Sequence, residues 1–151
     1  MLTLQVESLT EILHEIKSLL PLHWDELALN KDKVPLDPQF DIYLRRDAVG
    51  EVMLVTARRD GEVVGYFIGF VAPGLHYKTC LTLIMDIFFI RPDARNGFAG
   101  VKLFKAVEKE ALRRGVQRIF VGSKMHKDAS ALFERLEYQP IETFYSKWIG
   151  D

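Results

Sequence analysis

Hydrophobic residues near the N-terminus recur at steps of three and four. Between about Ser8 and Leu20 the apolar positions are Leu9, Ile12, Leu13, Ile16, Leu19 and Leu20. This spacing predicts an amphipathic helix, which Pro21 is expected to end. A second short helix is predicted from Leu22 to Leu29, followed by a polar loop with two prolines from Lys31 to Pro38. A third helical segment is predicted to begin at Asp37 or Pro38 and to end near Gly50.

The middle of the chain changes to strand-like patterns. Glu51–Arg58 and Val63–Ala72 flank Asp60-Gly61, a dipeptide typical of tight hairpin turns. Pro73-Gly74 opens a second turn, and Thr79–Ile90 predicts a long third strand. Because the links between these strands are short, we expect an antiparallel meander.

After Pro92 the pattern is helical again, with Val101, Phe104, Val107 and Ala111 at helical steps and Gly115 as the C-terminal cap. Val116–Gly122 then predicts a short strand, Lys127–Leu136 a helix and Pro140–Trp148 a last strand. A strand, helix, strand succession joins its two strands in parallel through a right-handed crossover. The predicted fold class is therefore mixed α/β, in a single domain that spans residues 1–151.

Composition narrows the class of protein. With 151 residues, 48% of them hydrophobic, the chain can bury the core of one domain. A formal net charge of −1 gives no support for a nucleic-acid or membrane-surface partner. No apolar run approaches a bilayer span and the N-terminus lacks a signal-peptide pattern, so we expect a cytoplasmic protein. Cys80 is the one cysteine and the four histidines lack metal-ligand spacing, so we expect no disulfide and no metal.

The segment that follows the third strand carries the first candidate chemistry. Ile90 leads into a short turn with Arg95, and the next helix has no acidic residue in its first turn. Helices usually place Asp or Glu there to complement the macrodipole. The unpaired N–H groups, joined by Arg95 and Lys102, suit a phosphate-bearing ligand. The alternative is a tight strand-to-helix connection in which Gly97 and Gly100 only relieve steric crowding.

In its order of parts, the chain resembles the GNAT superfamily of N-acetyltransferases, which bind acetyl-CoA and occur in bacteria and their phages. Ile90–Arg95 is similar to the strand end before the pyrophosphate loop, and Arg95 with Gly100 fits the family's Arg-x-x-Gly-x-Gly spacing. The long helix to Gly115, followed by a short strand, also matches. So does Ala131–Tyr138, which is similar to a Leu-Tyr-Glu-Lys-Leu-Gly-Phe segment.

Three positions depart from the family pattern. Phe98 stands where the first glycine is usual, while Gly97 lies one place earlier. Phe133 replaces the Tyr that often protonates the departing thiolate, and Phe has no proton to donate. Glu137 replaces the glycine before the final aromatic residue.

The resemblance implies acetyl-CoA as co-substrate and assigns residues to it. The pantetheine arm would pair with the strand at Phe88, Phe89 and Ile90. The diphosphate would meet the loop residues Arg95, Asn96, Gly97, Phe98, Ala99, Gly100 and Val101. His126 takes the place of a CoA-contacting Asn, although a role in starting the following helix is the alternative.

Three residues are candidates for proton transfer. Asp86 lies within an apolar run, where a carboxylate is costly unless it is paired or used. Burial would raise its pKa, so it could serve as the base or bind a cationic amine. The alternative is a structural Asp with a hydrogen-bonded neighbour. Tyr138 and Tyr145 are candidates for the missing acid, with packing in a strand or core as their alternative.

Four further residues are predicted to line the acceptor site: His23, Trp24, His76 and Tyr77. The alternative role of His23 and Trp24 is packing in the core or on the surface. The alternative for His76 and Tyr77 is a position in a solvated turn. The function that the resemblance implies is transfer of an acetyl group to the amine of a small molecule or a protein, by a chain that can form a homodimer. The alternatives are a non-catalytic acyl-CoA-binding relative and a structural interaction domain.

Overall fold

A five-stranded sheet forms the centre of the computed structural model, which describes residues 1–151. Its strands follow chain order: β1 (Leu2–Glu7), β2 (Val52–Arg59), β3 (Glu62–Pro73), β4 (Leu81–Ile90) and β5 (Arg118–Phe120). The first four pair antiparallel, whereas β4 and β5 pair parallel. The predicted mixed fold, with its meander and its parallel unit, is confirmed.

Four α-helices cover the two faces of the sheet: α1 (Leu9–Leu27), α2 (Phe40–Ala48), α3 (Ala99–Arg113) and α4 (Ser130–Arg135). On one face, Leu9 and Ile16 of α1 pack with Tyr66 and Phe89 of the sheet. On the other face, α3 and α4 contribute to a larger cluster that includes Leu83, Leu103, Phe104 and Phe133. The sheet is therefore buried on both sides over β2 and β3.

The turn between β2 and β3 forms as its sequence predicts. Asp60 and Gly61 both have positive φ angles, +52° and +83°. A two-residue hairpin turn needs this backbone to match the twist of its strands, and Asp-Gly tolerates it. The pairing of Arg59 with Glu62 therefore follows from local sequence, whereas a bulge between Ala57 and Arg58 shifts the register of the remaining pairs.

The prediction that Pro21 ends the first helix is wrong. α1 runs through Pro21 to Leu27, so the expected second helix is its continuation. A proline inside a helix removes one backbone hydrogen bond. Leu19 and His23 are buried on either side of Pro21, and together with Ile16 they form one apolar face of the helix. Packing of this face against the sheet stabilises the helix across the proline.

The predicted last strand, Pro140–Trp148, is also wrong, since this segment contains no strand. Its large apolar side chains are exposed: Ile141, Phe144, Tyr145 and Trp148. Their spacing of three and four does not place them on one face of a sheet, which needs a period of two. β5 and α4 are shorter than predicted, and β1 was not predicted.

None of the helices combines the length and the apolar character that crossing a bilayer requires.

Candidate functional site

A gap opens in the sheet between β4 and β5. β5 pairs only with Thr82, Leu83 and Ile84, and it ends at Phe120. The second half of β4, residues 85–90, therefore has no neighbouring strand on that side. A cavity of about 1850 Å³ occupies this region, and it is lined by β4, α1, α4 and the C-terminal segment.

A bulge in β4 sets the direction of Asp86. Ile68 pairs with Ile87 and Gly69 pairs with Met85, so Asp86 is the extra residue. Ile87 packs with the cluster beneath α1, and the carboxylate of Asp86 accepts a hydrogen bond from the phenol of Tyr43 in α2. Both side chains thus reach the α1–α2 face, although they are neighbours in a strand.

The surroundings of Asp86 favour its protonated form. Burial raises the pKa of this carboxyl above its usual value, while the Tyr43 hydrogen bond and the charge of Arg46 oppose the rise. Burial also raises the pKa of Tyr43, so the phenol keeps its proton and donates it to the hydrogen bond. Asp86 lines the cavity and holds a proton more strongly than an exposed Asp does.

A second polar pair lies beside Asp86 on the same face. The Nδ1 atom of His23 and the hydroxyl of Tyr66 are 2.6 Å apart and share a hydrogen bond. The imidazole stacks on Phe89, with ring centroids 4.9 Å apart. Burial lowers the pKa of His23 to about 4, so the ring is neutral at pH 7.

The other predicted acceptor residues separate into two groups. Trp24 lines the cavity with His23. His76 and Tyr77 lie in the turn before β4 and do not line it, so the structure does not bring them to the site. The ring of Tyr77 instead faces the Arg118 guanidinium, 5.2 Å from its centroid. Across the chain, no group of three or more His, Cys, Asp or Glu side chains is arranged to hold a metal ion.

The loop before α3 presents a row of backbone donors. None of its amides at Asn96, Gly97, Phe98, Gly100 and Val101 donates to an acceptor within the chain. Gly97 has a φ of +57°, and α3 has no acidic residue in its first turn. At Gly100 an added Cβ would lie 3.2 Å from Leu132, so α4 packs closely against the start of α3. This helix end can accept an anion without losing any internal hydrogen bond.

Arg95 binds within the chain in this structure. Its Nε donates to the carbonyl of Ile90 at 2.6 Å, and its two terminal nitrogens meet the carboxylate of Glu26 at 2.7 and 2.5 Å. Lys127 lies 3.3 Å from the same carboxylate, and His126 Nε2 lies 3.0 Å from the carbonyl oxygen of Leu27. These contacts join the end of α1 to the loop and to the segment before α4. Direct contact of Arg95 and His126 with a cofactor stays a prediction.

Phe133 is buried in an aromatic cluster at the back of the cavity. Its ring makes edge contacts with Phe88, Phe104 and Tyr138. The hydroxyl of Tyr138 is buried and has no hydrogen-bond partner in the chain. Burial, and then the charge of Glu108, raise the pKa of Tyr138. Tyr145 lies in the C-terminal segment and is 93% exposed.

Sequence reasoning missed Tyr43, Tyr66 and Glu26, which orient the predicted residues. Each acts through a partner far away in the chain, 43 residues for both tyrosine pairs and 69 for Glu26 with Arg95. The hydrophobic pattern carries no signal for such pairings.

Residues 16–138 match the model of the acetyltransferase (GNAT) family, so the chain belongs to that family. No curated protein sequence matches it.

Solved structures with low sequence identity share the fold over nearly the whole chain. A ribosomal-protein-alanine N-acetyltransferase from Brucella melitensis biovar Abortus 2308 superposes with a TM-score of 0.77 at 18% identity, covering 100% of this chain and 99% of that one. An aminoglycoside acetyltransferase from an uncultured soil metagenomic sample gives 0.77 at 15% identity, with 99% of each chain covered. A protein from Clostridium acetobutylicum, described as a predicted acetyltransferase and solved with acetyl-CoA, gives 0.70 at 11% identity, covering 99% and 97%.

Proposed function

We propose that the protein is an acetyl-CoA-dependent N-acetyltransferase that transfers an acetyl group directly to a primary amine of a small molecule or a protein. One observation carries the proposal: the unpaired amides at the start of α3 lie next to the half of β4 that has no neighbouring strand. Coenzyme A has a diphosphate that suits the amides and an extended amide-bearing arm that suits the strand edge. Membership of the acetyltransferase family supports this choice.

The backbone of this chain would hold the co-substrate at two places. The amides from Asn96 to Val101 would bind the diphosphate, since charge-assisted hydrogen bonds to backbone N–H groups are strong. Residues Phe88 to Ile90 would pair with the pantetheine arm as an added strand. An amide near Phe89 would then polarise the thioester carbonyl.

Asp86 is the candidate base. When bound, acetyl-CoA supplies a thioester whose carbonyl carbon the neutral amine of the acceptor attacks while the carbon–sulfur bond breaks. The attacking nitrogen must lose a proton, and Asp86 lines the cavity with its pKa raised by burial. A carboxylate with a raised pKa is a stronger base than an exposed one, and Tyr43 holds it in place.

Tyr138 is the candidate acid for the departing sulfur. Phe133 has no proton to donate, but Tyr138 contacts its ring and lines the same cavity. Its hydroxyl stays protonated because burial raises its pKa, and no internal partner holds that proton. Tyr145 also borders the cavity, but its side chain is 93% exposed, so solvent competes for its proton.

The acceptor would enter from the side of α1. His23 and Trp24 form part of this wall, and His23 is fixed by Tyr66 and Phe89. Two proteins of the same fold carry names that refer to different amines, an alanine of ribosomal proteins and aminoglycosides. The fold therefore suits both a protein acceptor and a small-molecule acceptor.

A protein that binds acyl-CoA without transferring the acyl group is the second candidate function. The buried Phe133 favours it, because the usual donor to the thiolate is missing at that position.

Release of free thiol from acetyl-CoA, measured against a panel of amines, tests the proposal. The Asp86→Asn variant should lower kcat by about 100- to 10,000-fold, the usual contribution of a general base, and leave acetyl-CoA affinity unchanged. Asp41→Asn is the matched control, since Asp41 is exposed on α2 and does not line the cavity.

The other outcomes separate the candidates. Binding of acetyl-CoA with no thiol release from any amine would select the second candidate. Absence of acetyl-CoA binding by calorimetry would overturn both.

A further inference from the structure

Arg118 of β5 is an arginine without an acidic partner. Eight of the ten arginines in the chain form ion pairs with Asp or Glu. The exceptions are Arg118 and Arg135, and Arg135 belongs to α4 on the other face of the sheet. The Nε atom of Arg118 is buried and has no hydrogen-bond partner in the chain. A buried donor without an acceptor is costly, and the acceptor atoms of a ligand would remove that cost.

The side chain of Arg118 lies on the face proposed for the acceptor. Its neighbour Ile119 pairs with Leu83, and both pack with the cluster beneath α3 and α4. Since successive side chains of a strand point to opposite faces, Arg118 and Phe120 point to the α1–α2 face. Ile84, the partner of Phe120, points the same way. Arg118 also lines the main cavity, so its guanidinium belongs to the wall of the proposed acceptor site.

Two aromatic rings hold the guanidinium of Arg118 in place. The ring centroids of Tyr77 and Phe120 lie 5.2 and 4.7 Å from its central carbon. An added Cβ at Gly74 would lie 3.9 Å from one of its terminal nitrogens, so the turn before β4 borders it as well. Cation–π contacts position a cation but supply no anionic acceptor for its five N–H donors. A carboxylate would supply one, through two parallel hydrogen bonds.

A carboxylate of the chain lies farther along the same face. Arg118 stands beside Thr82, and Asp86 is four residues beyond Thr82, up to roughly 13 Å along the strand at about 3.3 Å per residue. In keeping with this separation, the cation that opposes the raised pKa of Asp86 is Arg46 and not Arg118. Between the two positions lies Ile84, which is 52% exposed and lines the cavity. The wall thus presents a carboxylate, an apolar stretch and a guanidinium in a row.

We propose that the acceptor is a small ω-amino acid, a primary amine joined by an apolar chain to a carboxylate that Arg118 binds. This assignment rests on the proposed function, in which Asp86 is the candidate base. The ammonium group of the incoming acceptor would be attracted to Asp86, its methylene chain would cover Ile84, and its carboxylate would meet the guanidinium. An α-amino group next to its own carboxylate is too short to reach both ends of this row.

Release of thiol from acetyl-CoA with 6-aminohexanoate and with 6-aminohexanamide tests the assignment. The two acceptors share the amine and the chain, and only the first is an anion. We expect the wild-type kcat/KM to be about 10- to 100-fold higher for the acid, the usual contribution of hydrogen bonds to a charged group. Arg118→Gln should bring the ratio of the two kcat/KM values close to one by raising KM for the acid. Its KM for acetyl-CoA should stay unchanged.

Two further variants serve as controls. Arg118→Lys keeps the positive charge between the rings but loses the paired N–H donors, so its ratio should lie between those of the wild type and Arg118→Gln. Arg45→Gln is the matched control, because Arg45 is 74% exposed on α2 and does not line the cavity. This variant should keep the wild-type ratio.

Each remaining outcome overturns a specific claim. Equal wild-type kcat/KM for the acid and the amide, or thiol release only with amines that lack a carboxylate, overturns the ω-amino acid and leaves the proposed function standing. A preference that survives in Arg118→Gln overturns the assignment to Arg118. If Arg118→Gln does not fold, an unchanged ratio in Arg118→Lys overturns that assignment instead. Absence of thiol release with every amine overturns the proposed function, and the acceptor class falls with it.

Discussion

Residues 85–90 of β4, which have no neighbouring strand on one edge, differ in the polar groups on their two sides. Toward α1 and α2, the polar side chains are paired within the chain, as Asp86 is with Tyr43 and His23 with Tyr66. Toward α3 and α4, donors remain free, including the loop amides and the hydroxyl of Tyr138.

The α1–α2 side is thus a preorganised wall, whereas the α3–α4 side has donors whose hydrogen bonds a ligand would complete. A fully satisfied network is rigid and fixes the positions of its members. The free loop amides can give a ligand its affinity, and they cost little while water can reach them. Substitutions on the α1–α2 side should therefore change pH dependence and stability, and loss of a loop amide on the α3 side should change affinity.

The largest effect is expected from acidification of the α1–α2 side. Burial lowers the pKa of His23 to about 4 in the folded state, against about 6.5 for an unfolded chain. Since the unfolded state binds the extra proton, stability is lost as the pH falls through this interval, by about 3 kcal/mol in total. Denaturant unfolding between pH 7 and pH 4 measures it.

The His23→Gln variant isolates that contribution. Glutamine can still hydrogen-bond to Tyr66 but does not titrate. The free energy of unfolding of the variant should therefore fall less than that of the wild type as the pH is lowered from 7 to 4. His14→Gln, exposed on the same helix, should keep the wild-type slope. Identical slopes for His23→Gln and the wild type would contradict the buried neutral imidazole.

On the α3 side, removal of one free amide should weaken coenzyme A binding. Proline at position 101 deletes an N–H that donates to nothing in the chain, and the first turn of a helix tolerates proline. We expect Val101→Pro to lose about 10- to 100-fold in calorimetric affinity, because hydrogen bonds to charged groups are worth about 1.5–3 kcal/mol.

Val101→Ala is the control for this experiment. It shortens the side chain and keeps the amide, so it should bind coenzyme A nearly as the wild type does. Equal losses in the two variants would mean that the side chain of Val101, and not its amide, matters for binding.

Much of the fold follows from short-range pattern. Asp60-Gly61 predicts the hairpin because its backbone conformation is local, and Arg59 pairs with Glu62 directly across the turn. Pro21 misleads because a local rule about proline is overridden by packing of Leu19 and His23 against the sheet. The segment after Pro140 misleads because β-propensity cannot show whether a partner strand is available.

The candidate site, too, could be predicted only in part from local sequence. The missing acid in the first turn of α3 is visible in the sequence, and so is the carboxylate of Asp86 in an apolar run. The bulge that turns Asp86 toward Tyr43 depends on how β3 pairs with β4. The ion pair of Arg95 with Glu26 joins segments 69 residues apart, which no local pattern encodes.

A smaller effect is expected from the buried hydroxyl of Tyr138. Because this group has no hydrogen-bond partner, Tyr138→Phe should leave the free energy of unfolding unchanged or raise it by about 1 kcal/mol. If Tyr138 is the acid, the same variant should lower kcat while KM for acetyl-CoA stays constant. Tyr145→Phe, at an exposed position, should change neither quantity. A stability loss in Tyr138→Phe would indicate a structural partner for the hydroxyl.

The smallest effect should separate positioning from chemistry at Asp86. The Tyr43 hydrogen bond lowers the pKa of Asp86, against the rise that burial causes, so Tyr43→Phe should raise that pKa further. Because the base acts in its ionised form, activity falls as the pH drops through this pKa, and the acidic limb of the kcat profile should move to higher pH. At pH 7 we expect a loss of only a few-fold, far less than for Asp86→Asn. Tyr66→Phe, which leaves the Asp86 hydrogen bond intact, should not move that limb. An unmoved limb in Tyr43→Phe would show that Asp86 does not titrate in the catalytic step, and its part would then be to bind the acceptor amine.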